Sequence, residues 1–286
     1  MKSFADYKSD APNQITMANG AFYPDILVQA CELYKPVLVY FSQLLAVSPT
    51  SESLLKKITE LTQTWMRIQL LRVFRKYVSP DTSVEMLKSK NKIPMVCQTF
   101  GKDFRPINLV QKKFRERPLP DEALCAILWE YKDRGQKGYS LTENFFDMFQ
   151  SKFANYSIEG PKRAGADVQL KNVFPDYPNP TRPVDFVIRD RNNNVLAIGL
   201  ARYDSDRGGA QEDDRTGGYN NCAKEILAYT TQHNLKTKVI FLNDGPGLLL
   251  GSMWDDYSKI ENIDPRIMVL TLRMFNERLT EEWLNK

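Results

Sequence analysis

Residues 182–243 constrain the fold more than any other part of this chain. They read RPVDFVIRD, a turn NNN, VLAIGLARY, a polar stretch DSDRGGAQEDDRTGGYNN, then KEILAYTTQHN and KTKVIFLN. Val184, Phe186 and Ile188 alternate with Asp185 and Val187, the period of a β-strand. Asn192, Asn193 and Asn194 suit the left-handed positions of a tight hairpin turn. Val195 to Tyr203 is more continuously apolar, as in a strand covered on both faces. A helix from about Ala223 to His233 and a third strand from Thr237 to Leu242 complete a ββαβ unit. One acid, Asp185, stands where the first strand calls for an apolar residue. A buried carboxylate must find a partner or a task, so Asp185 marks a candidate site.

The remaining sequence sets bounds. A length of 286 residues suffices for one large domain or two ordinary ones. A formal net charge of +4 is too small to demand a nucleic-acid partner. Local excess says more: residues 56–92 hold nine Lys/Arg against three Asp/Glu. Cys31, Cys97, Cys125 and Cys222 show no CxxC spacing, which points to reduced thiols in a cytoplasmic protein rather than zinc or disulfides. His233 is the single histidine, so mechanisms that need a histidine pair are excluded. No run approaches the ~20 apolar residues of a membrane span.

In chain order, residues 1–24 are polar and broken by Pro12, Gly20 and Pro24, so the first dozen are expected to be disordered. A helical stretch follows over 25–46, divided or kinked at Pro36. The apolar stripe Leu54, Ile58, Leu61, Trp65 and Ile68 predicts one long helix from Glu52 to Tyr77. Residues 88–120 read as loop-rich and basic. A short helix is expected over 121–131, then a basic loop at Gly135 and Gly138, then a helix to about Phe153 with Glu143 in its first turn. Residues 165–174 read as an edge strand, 247–262 as irregular, 266–272 as a strand and 276–285 as a helical tail.

This order, with the loop and helix KGYSLTENFFDMF, the strand PVDFVIRD, the strand VLAIGLARY and the Gly-rich polar segment, resembles the PD-(D/E)XK nuclease core. The chain as a whole is similar to type II restriction endonucleases, and the NDGPG turn after KVIFL fits as well. The motifs cover roughly residues 130–250; residues 1–129 match only in their helical character. The resemblance implies an α/β (α+β) fold with a central mixed sheet flanked by helices. It also implies residues 1–129 as a helical region for DNA contacts or dimerisation and 130–286 as the nuclease core. The expected activity is Mg²⁺-dependent, site-specific cleavage of double-stranded DNA by a homodimer, in a bacterial or archaeal cytoplasm with no membrane partner.

The chain departs from the family on the second strand, where the usual acid-x-lysine positions fall on Gly199 and Ala201. Three readings stay open. A relocated acid would be Glu212, Asp213 or Asp214; a later alignment would use Asp204 or Asp206; or the chain does not cut. Mg²⁺ binds hard oxygen ligands and is typically held by one or two carboxylates. The expected metal ligands are therefore Asp185 with Glu212, Asp204 or Asp206, and Glu143 would hold a metal water. Arg202, Arg207 or Arg215 would stand in for the missing lysine by stabilising charge on phosphate. Lys112, Lys113, Arg115, Arg134 and Lys137 are the expected DNA contacts. Two other classes compete: a DNA-binding protein on a degenerate nuclease fold, and a regulatory or scaffold protein with no nucleic-acid partner.

Overall fold

The ββαβ unit forms the middle of a five-stranded mixed sheet in a computed structural model of the chain. The structure describes residues 1–18, 20–163, 165–205 and 210–286, with backbone only at 133, 134 and 210–215. The strands are β1 (Ser157–Glu159), β2 (Val168–Gln169), β3 (Pro183–Val184), β4 (Phe186–Arg189), β5 (Val195–Tyr203), β6 (Lys238–Asp244) and β7 (Ile267–Leu270). The main sheet has the order β1-β4-β5-β6-β7, and β2 pairs with β3 in a separate ribbon. β1, β4 and β5 are antiparallel neighbours, whereas β5, β6 and β7 run parallel. The parallel step is possible because the helix Ala210–Gln232 returns the chain from the end of β5 to the start of β6. All seven residues of β6 are buried, as expected of a strand with neighbours on both sides and both faces covered.

The two faces of the sheet are told apart by register. Phe186 lies opposite Gly199 on β5, and Phe241 lies opposite Leu200, so the two phenylalanines point to opposite sides. Phe145 of the helix Glu122–Lys152 packs on Phe186 with ring centroids 4.9 Å apart. On the other side Tyr219, from Ala210–Gln232, packs on Phe241 at 5.1 Å and reaches Tyr257 of the helix Met253–Glu261. Helices therefore cover both faces. The fold is mixed α+β with a helical N-terminal region.

Two compact units divide the chain: Met1–Asn19 with Arg134–Lys286, and Gly20–Asp133. The second is helical, with Ile26–Ala46, Ser51–Glu60, Thr64–Tyr77, Val84–Leu87, Ile93–Phe100 and Ile107–Arg115. Its core includes the fully buried Phe41, Leu54, Leu70 and Phe74.

Several expectations need correction. The first dozen residues are ordered as a 3₁₀ helix, Phe4–Asp10, and a short helix, Ala11–Gln14. They belong with the sheet rather than the helical unit, because Phe4 is fully buried and stacks on Trp254 at 4.3 Å. Burying one such ring contributes about 2 kcal/mol, enough to override a polar local sequence. Pro36 lies inside Ile26–Ala46 without ending it. The stretch 52–77 is two helices, broken where Leu61 turns extended and its carbonyl accepts from Arg67 Nη1 at 2.6 Å. Most of residues 93–115 is helical rather than loop. Gly135 and Gly138 do not make a loop: Glu122–Lys152 is one 31-residue helix. Each helical glycine costs about 1 kcal/mol, less than the burial of Leu128 before them and Phe145, Phe146 and Phe149 after them returns. The crossover helix begins at Ala210 rather than Ala223, so Gly217 and Gly218 are helical. Residues 253–261 form a helix, and the edges of the main sheet are β1 and β7, while Val168–Gln169 of the 165–174 segment pairs in the separate ribbon.

Candidate functional site

Asp185 interrupts the strand that it was read in, at a bend between β3 and β4. Its amide donates to the Gly199 carbonyl at 2.9 Å, and its Oδ2 accepts from the Ala201 amide at 2.7 Å. The side chain is thus held by the backbone of β5, while Oδ1 makes no hydrogen bond to a described residue. Burial pushes its pKa up to about 6, against the Ala201 hydrogen bond that pulls it down; the Asp167 charge adds to the rise.

Gly199 is required here. A Cβ at that position would fall inside the Phe186 ring, which fills the space above β5. The place where the resembled family carries its second acid is therefore occupied by an aromatic ring from the neighbouring strand.

Asp185, Arg202 and Asp204 all act electrostatically on one group, the Tyr219 hydroxyl, so their charges lie near one another. Arg202 Nε donates to Asp204 Oδ1 at 2.7 Å, and Asp204 is nearly fully buried. Burial pushes the pKa of the Tyr219 hydroxyl up to about 12, a rise that the Arg202 charge opposes and that Asp185 and Asp204 reinforce. Asn243 of β6 lies opposite Arg202 on the same face. It is fully buried, and neither of its amide atoms has a hydrogen-bond partner among the described residues. Asn243 and Tyr219 were missed in the sequence. The signal for Asn243 was an amide inside the apolar run KVIFLN.

The NDGPG turn fixes the backbone at Asp204. The Asp204 amide donates to the Asp244 carbonyl and its own carbonyl accepts from Gly247, both at 2.8 Å. Gly245 has φ +105°, and a Cβ on it or on Gly247 would run into the Asp204 backbone. Asp244 itself is structural. Its carboxylate accepts from the amides of Thr16 at 2.6 Å, Gly245 at 2.7 Å and Leu272 at 3.0 Å. Desolvation nevertheless raises its pKa.

Asp185, Arg202 and Asp204 thus gather at the end of the sheet where β5 and β6 finish and the crossover helix begins. Glu143 does not join them by any hydrogen bond or ion pair; its carboxylate pairs with Arg163 at 2.9 Å, and its helix covers the opposite face. It stands in the middle of a long helix, not in a first turn. Asp206 and Arg207 lie outside the described residues, as do the side chains of Glu212, Asp213, Asp214, Arg215 and Arg134. Lys137 is on Glu122–Lys152, and its charge is felt at Tyr203. Lys112, Lys113 and Arg115 are exposed in the last turn of Ile107–Arg115, with Lys113 paired to Glu116 at 2.7 Å.

Asp185 Oδ1 is a hard oxygen of the kind Mg²⁺ takes, and it has no partner among the described residues. Among the described residues no group of three or more His, Cys, Asp or Glu side chains is placed to hold a metal ion. None of the helices described is long and apolar enough to cross a membrane. No protein-family model matches the chain, and no curated protein or solved structure matches it.

Proposed function

We propose that the chain is a Mg²⁺-dependent endonuclease of restriction type, cutting both strands of duplex DNA as a symmetric dimer. One observation carries this reading: Asp185, held by the β5 backbone with one oxygen free of described partners, acts on the same Tyr219 hydroxyl as Arg202. Asp185 and Glu212 would hold the metal, which supplies Lewis-acid polarisation and an activated water. The rise in the Asp185 pKa fits that role, since a nearby cation stabilises the ionised form that burial disfavours. Arg202, oriented by Asp204, would donate to phosphate oxygens as negative charge builds. Asn243 would add a neutral donor beside it. Lys137 and the basic end of Ile107–Arg115 would contact the DNA backbone.

Purified protein incubated with long mixed-sequence duplex DNA, with and without Mg²⁺, tests the proposal. Discrete metal-dependent fragments that disappear in Asp185→Ala support it. A smear would keep the nuclease and remove the sequence specificity. A dimer requirement would appear as a steep concentration dependence and as a doubled mass in sedimentation.

The Phe186 ring over Gly199 favours a second reading, in which the fold binds DNA without cutting it. That reading predicts a gel shift whose strength falls steeply with salt and no cleavage in any divalent metal.

A further inference from the structure

The opposite end of the sheet, where β6 and β7 begin, holds an open cavity of about 530 Å³. Five basic side chains line it against two acidic ones. Most of the basic groups are committed elsewhere. Arg278 is closed by Glu261 at 2.8 Å and Arg266 by Asp264 at 2.9 Å. Lys238, the first residue of β6, is different. It is only 4% exposed, and its ammonium makes no hydrogen bond or ion pair with a described residue. Its Nζ lies 5.9 Å from the centroid of the Trp283 ring. A cation on a residue this little exposed, without a described partner, is only partly solvated and so calls for a counter-charge. Desolvation and the positive charges of Arg266 and Lys236 pull its pKa below the ordinary lysine value, while Asp264 pushes it back.

We propose that this cavity binds a small organic phosphate of nucleotide size, with the Lys238 ammonium on the phosphate group. Two features set the ligand class. The Lys238 cation calls for an anion, since the other four basic side chains are already paired, Lys2 with Glu277 and Lys286 with Glu282 besides the two arginines. The volume lies in the range of small-molecule sites and exceeds what a bare inorganic ion fills. The site is separate from the Asp185 face, at the other end of the same strands.

The test is isothermal titration of the full chain at low salt with inorganic phosphate, AMP and a short single-stranded oligonucleotide as probes. AMP is expected to bind, inorganic phosphate to bind more weakly, and added salt to weaken both. Lys238→Met keeps the aliphatic stem and removes the charge, so it should weaken AMP by roughly tenfold or more, the scale of a charge-assisted hydrogen bond. Lysine acylation of the unaltered chain, read by mass spectrometry, gives a result that no variant can confuse. AMP should protect Lys238 and leave the exposed Lys259 unprotected. Absence of AMP binding at low salt would overturn the proposal. So would unchanged affinity in Lys238→Met, absence of protection at Lys238, or binding of the oligonucleotide alone.

Discussion

Asp185 and Ala201 are joined by a 2.7 Å hydrogen bond from the Ala201 amide to the Asp185 carboxylate. With the Asp185 amide on the Gly199 carbonyl, the acid is fixed on both sides of Leu200. A carboxylate held by backbone cannot drift with side-chain rotamers, which is what positioning a reacting group requires. The arrangement also costs stability, because the charged form is poorly solvated.

Asp185→Asn is expected to stabilise the protein at pH 7. The native pKa of about 6 lies above the unfolded carboxylate value of about 3.9. Between those values the native state holds a proton that the unfolded chain has lost. This group's contribution is therefore full below about pH 4 and lost as pH rises through about 6. Discounted for its partial exposure, the gain for Asn is about 1–2 kcal/mol at pH 7 and nothing at pH 4. Urea unfolding at both pH values measures it; a variant less stable than the parent at pH 7 would contradict it.

Gly199→Ala is expected to destabilise the sheet by about 2 kcal/mol or more, since the new methyl must displace the Phe186 ring. Phe186→Leu in the same chain should recover part of that loss. Additive losses in the double variant would show that the ring and the glycine are not coupled.

The edge strand β7 is closed by an ion pair. Glu261 accepts the Val269 amide at 2.8 Å, and Arg278, fully buried, donates to the Val269 carbonyl as well as to Glu261. Glu261→Gln or Arg278→Met alone should cost about 3–5 kcal/mol, because each leaves a buried charge uncompensated. The double replacement should cost less than the sum. Denaturant titration of the three variants would decide it.

Asp244 ties the N-terminal segment to the sheet through Thr16, and Tyr203 reinforces the tie by accepting the Ala18 amide at 2.7 Å. Asp244→Ala leaves three amides without their acceptor, so a loss of about 3 kcal/mol or more is expected. Hydrogen exchange should rise first in residues 4–18 and at Leu272. Uniform loosening across the molecule would argue against a local clasp.

The hairpin, β5, β6 and the acid at 185 were readable because strand period and turn residues are local signals. The long helix was not. Gly135 and Gly138 look like punctuation, and only the packing of Phe145 and Phe149 on the sheet shows that they are overruled. The helix Met253–Glu261 was missed because its fully buried Tyr257 faces a helix distant in sequence. Asn243 looked like the start of a turn, and only register places it beside Arg202.

By itself the sequence determined the alternation of strands and crossover helix and the acid that breaks the first of them, since these follow from side-chain period and from the cost of burying charge. The tertiary structure decided that the first 18 residues close onto the sheet, that Gly199 makes room for Phe186, and that Lys238 lines a cavity without an ion-pair partner among the described residues. Each depends on contacts between residues far apart in the chain, and no local pattern encodes which distant side chain arrives.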